Sequence, residues 1–216
     1  MFGRKSAFVA IFGVAAVLLT VSICAGNVHA QEKAAAPSTM TLDNLMVAYN
    51  GESNAHARYL AFSGKAHEEG YDAVADLFKA ASMAEQVHFK RHAEVIKKLG
   101  GTPKAVIETP DVKSTKENLE AAVKGETYES KEMYPAFLKQ AKKEKIKDAI
   151  DAFEDAGAAE GVHAGLFAKM LKNLDLSKNL SKDFYVCPLC GNIMDTLNRS
   201  LCPICMTPTK KFMKAR

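Results

Sequence analysis

The chain has 216 residues, enough for one medium domain and a small one, with the apolar content of a soluble globular protein. Net charge is +4 and falls to +2 once Arg4 and Lys5 are set aside. No basic patch is interleaved with aromatics, so nothing favours nucleic acid as a partner; the abundance of Ala and Lys leans the chain toward helix.

The first 30 residues differ from the rest. Arg4 and Lys5 give a positive start, Ala7 to Ala25 carries no charge, and Val28-His29-Ala30 presents small residues where a signal peptidase cuts. This is a secretory signal peptide pattern over 1–30, which predicts export, to the periplasm. The alternative is an uncleaved anchor, since a run of this length just spans a bilayer, and membrane association follows only in that case. Cys24 lies inside the run behind Ile23, not behind the small residue of a lipoprotein signal. Residues 31–40 read as a flexible linker.

Four helix-length segments follow, at 41–67, 71–99, 115–143 and 145–173, with Thr41 placed to cap the first. Gly70 divides the first pair, and Gly100-Gly101-Thr102-Pro103 ends the second segment. Residues 100–114 hold Pro103 and Pro110 and make a long crossover between the pairs. Short connections within pairs and a long one between them predict a mainly α, ferritin-like four-helix bundle over 41–173. Residues 174–184 read as a second linker, and a cysteine module occupies 185–216.

The two helix pairs repeat each other. Tyr59-Leu-Ala-Phe62 recurs 75 positions later as Tyr134-Pro-Ala-Phe137, and Phe78, Glu85 and His88 recur at the same offset as Phe153, Glu160 and His163. Gly51-Glu52 recurs as Gly125-Glu126 at an offset of 74, a slip of one residue. Two copies of a helical hairpin packed face to face make a pseudo-two-fold bundle in which matched residues face each other.

Glu85-x-x-His88 and Glu160-x-x-His163 each put a carboxylate and an imidazole on one helix face. Ala80, Ala81 and Ala84 flank one pair, and Ala156, Ala158 and Ala159 the other. Glu52 and Glu126 add one carboxylate from each remaining helix, completing a di-metal carboxylate pattern that suits iron or manganese. Buried carboxylates in this number need cations to neutralise them. His56, one turn after Glu52, could approach the site but reads as a surface residue. Gly157 and Gly161 weaken the helix carrying Glu160 by about 1 kcal/mol each relative to Ala.

Cys187-Pro-Leu-Cys190 and Cys202-Pro-Ile-Cys205 are paired Cys-x-x-Cys knuckles with the spacing of a tetrahedral four-sulfur site for zinc or iron. Two disulfides are the competing reading in an exported protein; Pro inside both knuckles favours metal.

Gly51-Glu52-Ser53 with Arg58-Tyr59, Ala84-Glu85 with His88, Gly125-Glu126 with Glu129 and Met133-Tyr134-Pro135, and Ala159-Glu160 with His163 resemble the rubrerythrin family over the whole bundle, and the cysteine module resembles that family's rubredoxin-like tail. The resemblance implies two irons in the bundle and one in the tail, with Glu129 as a further ligand at a position where one iron shifts between a glutamate and a histidine, here His88. It implies Tyr59 and Tyr134 hydrogen-bonded to ligating carboxylates. It also implies reduction of hydrogen peroxide with electrons relayed through the tail, an unidentified redox donor protein, and a homodimer in which one tail can serve the other site. Ferroxidase or iron-handling activity uses the same ligands, and a tail holding zinc would make the protein a non-catalytic metal binder. The family usually has Gly after the fourth cysteine, where φ is positive; here Met206 stands there, and a non-Gly residue is strained in that region.

Overall fold

A computed structural model describes residues 39–215. The predicted leader at 1–30 and the following linker up to residue 38 lie outside them. The described chain runs α1 (Met40–Glu68), α2 (Asp72–Lys98), α3 (Thr115–Tyr128), a π-helical turn (Glu129–Met133), α4 (Tyr134–Glu144) and α5 (Lys147–Lys172). Three short strands follow, β1 (Tyr185–Val186), β2 (Ile193–Met194) and β3 (Met213–Lys214). This is the expected four-helix bundle, its third helix built from α3 and α4, with a small tail behind it.

The helix ends follow from local chemistry. Thr39, not Thr41, caps α1: its backbone is extended and its hydroxyl accepts from Leu42 N at 3.2 Å. Thr41 lies inside the helix, where its N–H donates to Glu144 Oε2 at 3.1 Å. Gly70 and Gly100 take φ of +80° and +83° just past the ends of α1 and α2, values that L side chains rarely adopt. Ser114 and Glu117 form a reciprocal capping box at the start of α3. The crossover between α2 and α3 is pinned to α1, because Asn50 Oδ1 accepts from Val106 N and Asn54 Oδ1 from Glu108 N, both at 2.8 Å.

The π turn locates the one-residue slip in the repeat. Glu52 and Tyr59 are seven apart in the first copy, and Glu126 and Tyr134 eight apart in the second. A π turn is one extra residue accommodated within a helix, and here it falls between Glu126 and Tyr134. Pro135, at the first turn of α4, costs the helix little there.

Two buried clusters close the bundle. One holds Tyr59, Phe62, Phe78 and Phe167; the other holds Tyr134 and Phe153 with Phe137 packed against them. Each fully buried Phe contributes about 1.5–3 kcal/mol. The tail joins the first cluster: Phe184, Val186, Ile193 and Ala215 are buried in the same core as Phe78 and Phe167. Its sheet has the order β2-β1-β3, antiparallel, with Val186 paired to Ile193 and to Met213. The segment 174–184 is bonded down along the α1–α2 hairpin. Asp76 Oδ2 accepts from Ser181 Oγ at 2.7 Å and from Lys182 N at 2.9 Å, and Asn179 N donates to Gly70 O at 2.8 Å.

Candidate metal centre

Glu52 comes from α1, Glu85 and His88 from α2, Glu126 from α3, and Glu160 and His163 from α5, and all six are buried. They form two overlapping groups, Glu52, Glu85, His88, Glu160 and Glu85, Glu126, Glu160, His163, whose ligand atoms lie within 4.8 Å of one another. Glu85 and Glu160 belong to both, so they could bridge two ions. Glu52 and His88 would complete one ion's shell, and Glu126 and His163 the other's.

Both imidazoles turn Nδ1 toward this centre. His88 Nδ1 is 2.8 Å from Glu85 Oε2 and 2.8 Å from Glu160 Oε1, and His163 Nδ1 is 2.7 Å from Glu160 Oε2. Their Nε2 atoms face the tail, His88 against the carbonyl of Cys190 at 3.0 Å and His163 against that of Gly191 at 3.1 Å. A carbonyl only accepts, so both rings carry a proton on Nε2, and with cations among the carboxylates Nδ1 would be left as the ligating atom. Metal-ligating histidines are held in this way.

The residues fit a di-metal group on a second ground. Glu52 Oε2, Glu85 Oε1 and Glu126 Oε2 are buried without a hydrogen-bond partner, and the two Glu160 oxygens have only the histidine Nδ1 atoms beside them. Orphaned acceptors gathered at one point need cations there. The electrostatics agree. Burial and the neighbouring carboxylates push Glu52 well above the usual carboxylate range and Glu85 up to about 8. Burial disfavours charge on His88 and His163, but Glu160 beside them raises both well above the usual imidazole value. Burial likewise opposes ionisation of Glu160, yet those two imidazoles hold it below its ordinary value.

The two tyrosines cross the pseudo-two-fold axis. Tyr59 donates to Glu126 Oε1 at 2.5 Å, and Tyr134 donates to Glu52 Oε1. Each half of the repeat thus orients a carboxylate of the other half. Glu129 lies in the π turn, half-buried and outside both ligand groups. Burial and the charges of Glu52, Glu126 and Glu160 push its carboxyl well up, so it sits in the field of the centre.

Two expectations are corrected. His56 is not a surface residue: it is half-buried, its Nδ1 2.8 Å from Ser82 O and its ring edge-on to Phe89 at 5.7 Å. Ala158 is exposed, whereas the other five flanking alanines are buried. At Gly157 a Cβ would meet Tyr134 Cβ at 2.8 Å, so its bareness lets α5 close on α4; Gly161 has only Ser130 Cβ nearby, at 3.9 Å. His92, one turn beyond His88, was not predicted. It is buried, with Nε2 2.9 Å from Tyr134 Oη. Its repeat mate is Phe167, so a search for matched residues passes over it.

In the tail, the four cysteine sulfurs also lie within 4.8 Å of one another. Cys187 and Cys205 sulfurs are 3.5 Å apart, as are those of Cys190 and Cys202. None of these cysteines is in a disulfide, and the separations approach the ~3.8 Å edge of a tetrahedron with ~2.3 Å metal–sulfur bonds. A hydrogen bond from Cys190 draws the Cys187 thiol down to about 5, giving thiolate character before any metal is considered. Met206 takes φ of +62°, the left-handed conformation expected after the fourth cysteine, and Gly191 takes +71° at the matching place in the first knuckle.

Residues 43–171 match the family model described as Rubrerythrin. Nigerythrin of Nitratidesulfovibrio vulgaris is 37% identical over 187 residues, 86% of this chain and 91% of that protein. Rubrerythrin-2 of Clostridium acetobutylicum is 37% identical over 81% of this chain and 96% of its own length. Among solved structures, fully reduced, all-ferrous nigerythrin superposes with a TM-score of 0.76 at 34% identity, covering 84% of this chain and 91% of that one. A bacterioferritin of Desulfovibrio desulfuricans matches at 0.61 and 22% identity over 65% of this chain and 88% of that one, a likeness of fold alone.

Proposed function

The chain belongs to the rubrerythrin family, and from that premise we propose that it is a di-iron oxidoreductase that reduces hydrogen peroxide, with electrons relayed through an iron in the tail. Two ferrous ions held by Glu52, Glu85, His88, Glu126, Glu160 and His163, with Glu129 as a further ligand, would supply the two electrons that one peroxide takes up. The polypeptide's part is positional. Tyr59 and Tyr134 fix Glu126 and Glu52, and the aromatic clusters at either end exclude bulk water from the carboxylates.

One observation carries the redox reading over a structural zinc tail: Cys190, a candidate metal ligand, presents its own carbonyl to His88. The two sites are thereby joined by covalent bonds and a single hydrogen bond within one chain. A purely structural zinc module has no need of that contact, or of the second one at His163. An exchange of tails between subunits is not required for it.

Reduced, iron-loaded protein mixed anaerobically with peroxide tests the proposal. Oxidation much faster than by air supports it, and oxidation no faster than by air overturns it. Steady turnover with an electron donor and no net iron loading separates it from ferroxidase activity. Fe–thiolate absorption in the visible supports iron in the tail over zinc. The proposal includes export: a mature chain beginning at Gln31, drawing on an electron donor outside the cytoplasm. Intact mass of the protein from its native compartment checks this, and a mass that includes residues 1–30 argues for the anchor.

A further inference from the structure

The two aromatic clusters are copies of one arrangement. Tyr59 has ring centroids of Phe62, Phe78 and Phe167 at 6.3, 5.8 and 5.4 Å. Tyr134 has those of Phe137, Phe153 and His92 at 6.4, 5.9 and 5.9 Å. Phe167 and His92 occupy equivalent places, 75 residues apart. In one box three Phe rings surround the tyrosine, with the Arg58 guanidinium 5.5 Å from its ring centroid. The other has an imidazole in hydrogen-bond contact with the tyrosine oxygen.

The proton positions follow from the acceptors. Glu52 as a ligand is a carboxylate and only accepts, so the single Tyr134 proton goes to Glu52. The Tyr134 oxygen must then accept from His92, which puts the His92 proton on Nε2. Nδ1 is left bare, and no group among the described residues bonds to it. Burial, then the neighbouring His88, lowers the ring's basicity to a pKa of about 3, so it stays neutral and acts as a single donor. An imidazole with one nitrogen buried and unpaired is costly against the Phe that the same box accepts elsewhere.

We propose that His92 is a positioning residue for the metal centre: through Tyr134 it holds Glu52 in place, and it makes the Glu52–His88 half of the centre inequivalent to the Glu126–His163 half, which has Phe167 in its stead. A hydrogen bond received at the tyrosine oxygen polarises the O–H that Tyr134 donates onward. The inference rests on the two-metal reading of the centre and not on peroxide as substrate.

Full-length protein loaded with zinc, which is diamagnetic and takes the same donors, provides the test. Chelator competition after the tetracysteine site is filled gives the affinities of the two bundle ions. H92F should weaken one ion about tenfold and leave the other within about twofold, the low end for losing an outer hydrogen bond. H92Q, whose amide N–H can donate to Tyr134, should recover most of the loss. In a Y134F background, adding H92F should change nothing further. Nitrogen-15 spectra of the zinc-loaded wild type should show His92 with its proton on Nε2, a result that needs no variant to fold. Equal weakening of both ions, an H92F effect that adds to that of Y134F, or a proton on Nδ1 overturns the proposal. No arm measures peroxide turnover, so failure of the peroxidase reading leaves these outcomes intact. Fewer than two zinc ions bound in the wild-type bundle would overturn the two-metal reading itself.

Discussion

Gly191 is required for two reasons at once. Its φ of +71° suits a residue without Cβ, and a Cβ built there would fall 2.2 Å from His88 Nε2. The knuckle can approach the histidine this closely only because the side chain is absent. Gly191→Ala is therefore expected to push the tail off His88. In iron-loaded protein, the oxidation of the tail that follows that of the bundle should slow roughly ten- to hundredfold, since small misplacements carry such penalties. Stopped-flow absorbance at the tail's visible bands checks this. Met206 is the opposite case, a side chain held in the left-handed region with 62% of its surface exposed. Met206→Gly should relieve strain at the cost of a more flexible unfolded chain, a net gain of about 0.5–1 kcal/mol, visible as a higher melting temperature of metal-loaded protein.

At the scale of the helix, the π turn and α5 are fitted to each other. The inserted residue lets Glu126 keep its place opposite Glu52 while Tyr134 keeps its place opposite Tyr59, and it carries Glu129 in the same turn. Gly157 and Gly161 both lie over this region but answer to different forces. Gly157→Ala would put a Cβ 2.8 Å from Tyr134 Cβ, close to the backbone where nothing flexible can give. It is expected to cost about 1–3 kcal/mol and to loosen the Tyr134–Glu52 bond. Gly161→Ala meets nothing nearer than 3.9 Å on an exposed face, so helix propensity decides and the change should stabilise by about 1 kcal/mol. Denaturant melts of the two variants should move in opposite directions.

Across the whole molecule, the buried carboxylates make stability depend on pH in a way that metal reverses. Glu85 is raised to about 8 in the folded, metal-free chain, against 4.5 when unfolded. The folded state therefore holds more protons, and the stability this contributes is full below about pH 4.5, declines above it, and is gone beyond about pH 8. The raised His88 and His163 act in the same direction, and the lowered Glu160 against it. Metal-free protein should melt at a lower temperature at pH 9 than at pH 6. Metal needs the carboxylates deprotonated, so its affinity should rise over that interval, and the loaded protein should lose much less. Calorimetry with and without chelator measures both trends.

Local sequence determined much of this. The Gly and Pro breaks marked the helix pairs, and an echo at 74 to 75 residues put four glutamates and two histidines on facing helices, because helical periodicity and hairpin duplication are written along the chain. The knuckle spacing likewise declares a four-sulfur site, and the family resemblance, not the local sequence, supplied the positive φ of Met206. Tertiary structure decided the rest. The slip from 74 to 75 recorded an insertion without saying where a helix would absorb it; the fit of Tyr134 and Ser130 against Gly157 and Gly161 of α5 gives it a place. His92 differs from its repeat mate, and nothing in its spacing reveals that a tyrosine 42 residues away turns its oxygen toward it. The contact of Cys190 and Gly191 with the two histidines spans 102 and 28 residues. Contacts between elements depend on the relative position of packed surfaces, which no local period encodes.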